Sequence, residues 1–228
     1  MIENRRILVI GKSGSGKSWL VEYILERDII DNEKNFLIFD PKGGEHNGFL
    51  DFPGARVLIV GREVFPHVNN EFCVGLLRMY KRLIVIPNML DFAEIRKLMD
   101  CMSYAALQVG NLVVVLEEAQ LIYPHNQTLK WSEILVTSGR SNHIDVIIVT
   151  QRPSEIDSTV VSQCNIRFFF QMDDEPDLER VKSLLKDAKK LLPELRPKQC
   201  YYRNYLTGEN GFIDTSKYEK EKVVGHRG

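Results

Sequence analysis

The sequence predicts an α/β fold, a mostly parallel sheet with helices on both faces, and three observations support this prediction. Short apolar runs alternate with amphipathic helical patterns from residue 7 to residue 190, as in parallel strands joined by crossover helices. A glycine-rich turn joins the first run to the first helical pattern. Polar side chains directly follow two buried runs, at the sheet edge where α/β proteins bind ligands.

The glycine-rich turn has the spacing of a phosphate-binding loop. Residues 11–18 fit G-x-x-x-x-G-K-[ST], between an apolar run at 7–10 and a helical pattern that continues to residue 25. Backbone N–H groups of such a loop surround a phosphate along a path that needs glycine conformations. The helix that follows adds the positive end of its dipole. The motif therefore predicts nucleotide binding.

ATP and Mg²⁺ are the predicted cofactors of this loop. Lys17 is expected to reach the β- and γ-phosphates, and the Ser18 hydroxyl is expected to join the Mg²⁺ shell. The predicted nucleotide-contact residues are Gly11, Lys12, Ser13, Gly14, Ser15, Gly16, Lys17, Ser18 and Trp19.

The next elements follow from apolar runs, caps and stop signals. Asp91 is a predicted N-cap and Gly110 a predicted C-terminal stop of one long helix. The predicted strands before Gly110 lie at 36–39, 55–61 and 81–87, and a shorter helical pattern lies at 71–80.

The second half repeats the alternation and ends in a predicted hairpin. Strands are predicted at 112–116, 145–153 and 165–172, with helical patterns at 126–138, 154–164 and 175–192. The last of these patterns, rich in charge, is predicted to form one amphipathic helix. The hairpin turns at 207–211, and the polar residues beyond Asp214 are expected to fray. One domain at 1–213 and a tail at 214–228 follow from this division.

Composition indicates an ordinary globular protein. Hydrophobic residues make up 44% of the 228 residues, charged residues 27%, and the net charge is −1. This balance argues against a generally basic nucleic-acid binder, although a local basic patch remains possible. The four cysteines are far apart in sequence and are expected to be reduced, buried thiols of a cytoplasmic protein. No apolar run approaches the length of a membrane span.

Two carboxylates follow the most apolar predicted strand. Glu117 and Glu118 come directly after the run at 112–116, where a doubly buried strand would present them at the ligand-binding edge. ATP hydrolysis needs one group near Mg²⁺ and another that orients or deprotonates water. We assign Glu117 to Mg²⁺ and Glu118 to the attacking water, and the reverse assignment stays open. The alternative is a surface pair that caps a following helix.

Two further side chains are candidates for the phosphoryl-transfer site. Gln151 follows a second buried strand, so its amide could sense the γ-phosphate, or it could simply bond neighbouring backbone. Arg140 lies in a Gly-Arg-Ser-Asn turn before that strand. It could stabilise transferred charge in the site of a neighbouring subunit, or it could be a solvated loop arginine.

Three sequence segments resemble the HerA and FtsK superfamily of DNA translocases. They are LVVVLEEAQ at 112–120, SGRSNHIDVIIVTQRPSEIDSTVVSQCNIRFFF at 138–170, and FDPKGGE at 39–45, which is similar to the FtsK branch. Together with the phosphate-binding loop they cover about residues 7–185 in the family's order. Gln120 stands where HerA proteins usually have histidine.

The resemblance implies a RecA-like core of the ASCE class that hydrolyses ATP in a homo-hexamer and moves double-stranded DNA through its pore. It implies nucleotide and Mg²⁺ roles for Lys17 and Ser18, an acidic pair at Glu117 and Glu118, a sensor at Gln151 and an arginine finger at Arg140. The small N-terminal barrel of HerA and the extra domains of FtsK are not expected. A stand-alone core of this kind resembles the genome-packaging ATPases of membrane-containing icosahedral viruses.

Four functions remain open at this point. The first is a packaging motor whose partners are capsid or portal components, and the second is a HerA-like helicase that acts with a nuclease. The others are a small-molecule kinase and a non-hydrolysing nucleotide-dependent interaction module. Side chains that could face DNA in a ring lumen are Lys42, His46, His125, Lys130 and Arg152, although each is also compatible with a solvated or paired role.

Overall fold

The computed structural model describes residues 4–221 of the chain. Within this range nine strands form one sheet. The strands are β1 (Arg6–Ile10), β2 (Asn35–Phe39), β3 (Ala55–Val60), β4 (Arg82–Pro87), β5 (Leu112–Leu116), β6 (Asp145–Thr150), β7 (Ile166–Phe170), β8 (Gln199–Asn204) and β9 (Asn210–Asp214).

The strand order is β3-β4-β2-β5-β6-β1-β7-β8-β9. The first seven strands of that order are parallel, and β8 and β9 add an antiparallel edge. The prediction of a mostly parallel sheet is confirmed, as is the C-terminal hairpin. Because β6 lies between β1 and β5, the residue after β6 is placed between the glycine-rich loop and the acidic pair.

The helices connect these strands across both faces. Their bounds are α1 (Lys17–Asn32), α2 (Asn70–Met79), α3 (Phe92–Val109), α4 (Lys130–Ser138), α5 (Ser158–Gln163), α6 (Glu175–Lys182) and α7 (Ala188–Leu191). The predicted cap of the long helix is confirmed. The Asp91 carboxylate accepts the N–H groups of Ala93 and Glu94, and the Glu94 carboxylate accepts the N–H of Asp91, which is a complete capping box.

Alternate side chains of the central strands enter two separate cores. In β1, Leu8 and Ile10 pack in the core on the side of α2, α3 and α4, whereas Ile7 and Val9 pack on the side of α1. All of them are at most 1% exposed. A strand buried on both faces reads as a continuous apolar run, which explains why the runs were recognisable from sequence.

The charged pattern at 175–192 forms two short helices, so the prediction of one long helix is wrong. After α6 the N–H groups of Leu184 and Leu185 both bond the Val181 carbonyl, and the chain turns before α7. The turn lets Leu185, Ala188 and Leu192 all reach the core.

The expected fraying beyond Asp214 is also wrong for the part of the tail that the structure describes. Residues 215–221 pack along α1: the ring of Tyr218 stacks on Tyr23 at 4.6 Å, and Lys220 pairs with Glu22. The Lys220 and Glu22 side chains are only 3% and 4% exposed. Residues 222–228 lie outside the described range, and the division at residue 213 stays a prediction.

All four cysteines are free thiols and buried, as their spacing led us to expect. Among residues 4–221, no helix combines the length and the apolar character that a membrane span needs.

Candidate nucleotide site

A cavity of about 260 Å³ lies at the carboxyl edge of the sheet, beside the start of α1. Six of the nine predicted nucleotide-contact residues line it, together with side chains from other loops. The lining is Ser13, Gly14, Gly16, Lys17, Ser18, Trp19, Lys42, Glu45, Glu117 and Gln151.

The loop around the cavity depends on glycine at two positions. Gly16 has φ 105°, and a Cβ there would lie 2.9 Å from the Cα and N of Lys198. A Cβ on Gly11 would lie 2.5 Å from the Cβ of Phe170. Real Cβ atoms do not approach so closely, so any larger residue would displace the loop from β7 or from Lys198.

The cavity lining does not include the other three predicted nucleotide contacts, Gly11, Lys12 and Ser15. They lie in the part of the loop that packs against neighbouring segments. The Ser15 hydroxyl donates to the Lys12 carbonyl at 2.8 Å, and the Lys12 ammonium pairs with Asp173 at 2.7 Å. The Ser15 carbonyl accepts the N–H of Lys198 at 2.7 Å. These bonds hold the loop open around the cavity.

Lys17 is 7% exposed, and its ammonium donates to the Lys12 carbonyl at 2.8 Å. Burial lowers the pKa of Lys17 to about 8, with Lys42 adding to the lowering and the carboxylates of Glu117, Glu118 and Glu45 opposing it. An ammonium held in a concave, partly desolvated site is a strong ligand for a polyphosphate.

This pKa predicts a pH dependence of nucleotide affinity. A bound polyphosphate raises the pKa of Lys17, so binding takes up a proton when the pH exceeds about 8. Affinity for a fluorescent ATP analogue should be constant from pH 6.5 to 7.5 and should fall by up to about tenfold per pH unit above pH 8. A Lys17→Met protein should bind weakly, without a break near pH 8. A break of equal size in both proteins would contradict the assignment.

Glu117 faces the cavity from the end of β5 and is 2% exposed. One of its carboxylate oxygens, Oε1, lies 3.0 Å from Nε2 of His46, which is fully buried. Burial lowers the pKa of His46, but the hydrogen bond and charge of Glu117, with Asp40 and Glu22, outweigh it, and the pKa is raised.

Glu118 adopts a left-handed backbone conformation, with φ 48° and ψ 50°, which is strained for a residue with a Cβ. Its carboxylate accepts hydrogen bonds from the amides of Gln151 and Gln120 and pairs with the Lys42 ammonium. Burial raises the pKa of Glu118, but these three partners outweigh it and hold the pKa below its usual value. The structure therefore brings Glu118 and the predicted sensor Gln151 into direct contact.

The loop after β2 supplies site residues that sequence reasoning missed. The Asp40 carboxylate accepts the N–H groups of Gly43 at 3.0 Å and Glu45 at 2.9 Å. The resulting turn places Lys42 and Glu45 in the cavity lining and His46 against Glu117. Lys42 and His46 were candidates for DNA contact, and for His46 this is wrong because it is 0% exposed.

The other candidate DNA side chains have protein partners. Nε2 of His125 lies 2.7 Å from the Ser154 carbonyl, and the Lys130 ammonium lies 4.5 Å from the centre of the Trp131 ring. Arg152 is paired with Asp174 at 3.0 Å. Arg140 lies in a short 3-10 helix, Gly139–Asn142, between α4 and β6, and its side chain lies outside the described part of the chain.

The donors around the cavity suit a hard divalent cation. Ser18 and Glu117 line the same cavity, and both offer oxygen ligands, which Mg²⁺ prefers. Oxygen from Glu45 and a ring nitrogen of His46 lie beside Glu117, with the three candidate ligand atoms within 4.8 Å of one another.

A family model described as the central domain of the helicase HerA matches residues 2–189. The chain belongs to this family. The membership confirms the sequence prediction of a P-loop ATPase of the HerA and FtsK type.

Among curated proteins, this HerA-family chain is similar to two phage proteins. It is 27% identical over 192 residues to the DNA packaging ATPase P9 of Enterobacteria phage PRD1, covering 83% of this chain and 74% of that protein. It is also 27% identical over 180 residues to Protein P9 of Pseudoalteromonas phage PM2, covering 73% of this chain and 68% of that protein. A probable helicase of Methanocaldococcus jannaschii is 22% identical over 176 residues, which cover 31% of that longer protein.

Solved structures confirm the fold of this HerA-family chain. The genome packaging NTPase B204 of Sulfolobus turreted icosahedral virus 2 superposes with a TM-score of 0.69 at 15% identity, over 99% of this chain and 100% of that one. VirB4 of Thermoanaerobacter pseudethanolicus superposes with a TM-score of 0.66 at 11% identity, over 96% of this chain and 90% of that one. These matches support the RecA-like prediction.

Proposed function

We propose that this chain is an ATP-hydrolysing motor that moves double-stranded DNA and that its setting is viral genome packaging. The observation that carries the hydrolytic part is the contact of Glu118 with Gln151 beside the Lys17 cavity. The packaging setting is supported by similarity over most of the chain to the packaging ATPase of phage PRD1. Such a motor would act in the host cytoplasm or on the virion.

In the proposed mechanism each site residue has one task. Lys17 binds the β- and γ-phosphates, and the loop N–H groups surround them. Mg²⁺, when bound beside Ser18 and Glu117, would neutralise charge on the β- and γ-oxygens. Glu118 orients a water molecule and takes its proton as the water oxygen attacks the γ-phosphorus. The bond from that phosphorus to the β,γ-bridging oxygen breaks, and ADP leaves with this oxygen. The side-chain amide of Gln151, which donates to Glu118, would respond to the presence of the γ-phosphate.

The proposed active assembly is a homo-hexamer in which Arg140 of one subunit reaches the site of the next. Arg140 lies in the turn before β6, and its role is carried over from the family resemblance, because an added cation would stabilise charge on the transferred phosphoryl group. Double-stranded DNA would pass through the ring and be held by its phosphates rather than by its base sequence.

The test is ATP turnover against added linear double-stranded DNA, with particle mass measured by light scattering in the same buffer. The wild type should turn over faster with DNA as a large assembly. Arg140→Ala should lose at least about tenfold of that turnover while still binding ATP. Arg196→Ala, which removes an exposed arginine, is the matched control and should behave as the wild type. A monomer whose rate of ATP turnover is unchanged by DNA and by Arg140→Ala would contradict the proposed motor function.

A HerA-like helicase that acts with a nuclease is the second candidate. The observations that favour it are the description of the family model and the similarity to the archaeal probable helicase. Both candidates share the ATPase chemistry, so the partner separates them. Co-purification of the chain with a procapsid vertex supports packaging, whereas co-purification with a nuclease supports the processing of DNA ends.

A further inference from the structure

The loop after β2 contributes a side chain that the proposed chemistry does not yet use. His46 is fully buried, and its Nε2 lies 3.0 Å from Oε1 of Glu117. Within residues 4–221, its other ring nitrogen, Nδ1, is buried without a hydrogen-bond partner. Among the described residues, the hydrogen-bond partner of the ring is therefore the carboxylate assigned to Mg²⁺, and the ring centre also lies 6.1 Å from that of Phe49.

The contact restricts Glu117 strongly. A carboxylate on a two-carbon stem can rotate, and a free Glu117 could turn toward the ammonium groups of Lys17 or Lys42, which share its cavity. A donated Nε2–H on Oε1 fixes the plane of the carboxylate and leaves its second oxygen available. The Asp40 carboxylate accepts the N–H groups of Gly43 and Glu45. These bonds fix the backbone directly before His46 and so help to place its ring.

We infer that His46 is a positioning residue that orients the Glu117 carboxylate for a Mg²⁺–nucleotide complex. This inference rests on the proposed function, because it uses the assignment of Glu117 to the metal. Outer partners of metal-binding carboxylates typically change metal affinity about 10–100-fold when they are removed. His46 acts through Glu117, because its Nε2 bonds that carboxylate and its ring is fully buried.

The test compares two substitutions with different donors. His46→Gln keeps an N–H donor near the place of Nε2, whereas His46→Leu fills a similar volume without one. The measured quantity is the ratio of affinities for a non-hydrolysable fluorescent ATP analogue in Mg²⁺ and in excess EDTA. This ratio does not depend on turnover, and melting temperatures are recorded for each protein.

We expect the ratio of the Mg²⁺ affinity to the EDTA affinity to be smaller in His46→Leu than in the wild type by about tenfold or more. The affinity of His46→Leu in EDTA should lie within about twofold of the wild-type value. His46→Gln should recover most of the gain. In a Glu117→Gln background, His46→Leu should have no further effect on the ratio, because the two side chains act as a pair. His67→Leu, at an exposed histidine, should leave the ratio unchanged.

Several results would overturn the inference. An unchanged ratio in His46→Leu, beside a clear Mg²⁺ effect in the wild type, refutes the role of His46 and leaves the proposed function intact. Equal losses in the Leu and Gln proteins, matched by equal drops in melting temperature, indicate a purely structural histidine. No Mg²⁺ effect in the wild type refutes the assignment of Glu117 and the proposed mechanism with it.

Discussion

Glu118→Gln should bind ATP with an affinity within about threefold of the wild type and should lose about 10²–10⁴-fold of its turnover. The amide keeps the shape of the side chain. Its one oxygen can still accept one of the two hydrogen bonds that Gln151 and Gln120 donate to different oxygens of Glu118. It cannot take a proton from water. Single-turnover phosphate release and equilibrium binding of a fluorescent ATP analogue measure the two effects separately.

The matched control is Glu63→Gln, which makes the same chemical change at an exposed glutamate and should turn over normally. Glu117→Gln separates the two carboxylates, because it should lose the Mg²⁺-dependent part of nucleotide affinity, whereas Glu118→Gln should keep it. Normal turnover in the Glu118→Gln protein, with turnover lost in Glu117→Gln, would reverse the two assignments.

The phosphate-binding loop could be predicted because its information is local. The glycines, Lys17 and Ser18 all lie within residues 11–18, and the apolar strand before them is buried on both faces of the sheet. The acidic pair was predictable for the same reason, since it directly follows β5. In each case a short segment contains both the side chains and the signal that places them.

The loop at 40–46 could not be placed from sequence because its position depends on strand order. Lys42 and His46 follow β2, which lies beside β5 in the sheet, so the turn after β2 meets the acidic pair. Without that neighbour relation, these two basic side chains resemble DNA contacts that face the lumen of a ring. The signal that could have found them is Asp40 at the end of an apolar run, with Gly43 and Gly44 shortly after it. This pattern favours a turn in which the aspartate accepts the N–H of Gly43.

The tail was mispredicted because its partners lie almost two hundred residues away. The indole N–H of Trp19 donates to the Thr215 carbonyl at 2.9 Å, and the ammonium groups of Lys198 and Lys220 lie 3.5 and 4.1 Å from the centre of its ring. Polar composition alone suggests a solvated end. Here Lys220 pairs with Glu22 of α1. Glu221 pairs with Arg27 of the same helix, so the segment packs along α1 beside the nucleotide cavity.

Asp145→Ala should lower the free energy of unfolding by about 3–5 kcal/mol. Asp145 begins β6, is 0% exposed and accepts bonds from Arg5 and Lys34 at 2.7 and 2.5 Å, while Arg5 also pairs with Asp28 at 2.6 Å. This network joins β1, α1 and β6 at the amino ends of the strands. Removing the shared carboxylate takes from Lys34, which is largely buried, its ion-pair partner and leaves Arg5 with Asp28 alone. Urea unfolding followed by circular dichroism measures the loss.

The loss of stability in Asp145→Ala should depend on pH and should become smaller in acid. Burial raises the pKa of Asp145, but the charge of Arg5 and the bonds from Lys34 and Arg5 outweigh it, so the folded-state pKa is below that of the unfolded chain. The stabilisation is complete above the unfolded-state pKa, near 4, and is lost as the pH falls through the folded-state value. The difference between Asp145→Ala and the wild type should therefore be constant from pH 6 to 8 and should shrink below pH 4.

Asp31→Ala, at an exposed aspartate of α1, is the control and should change stability by less than about 0.5 kcal/mol. Because the network lies at the sheet edge opposite the nucleotide cavity, the folded fraction of Asp145→Ala should bind and hydrolyse ATP normally. A loss of ATP turnover in fully folded Asp145→Ala protein would show that the two edges of the sheet, at the ion-pair network and at the nucleotide cavity, are coupled. Unchanged stability would show that Arg5 and Lys34 find water or other carboxylates without loss.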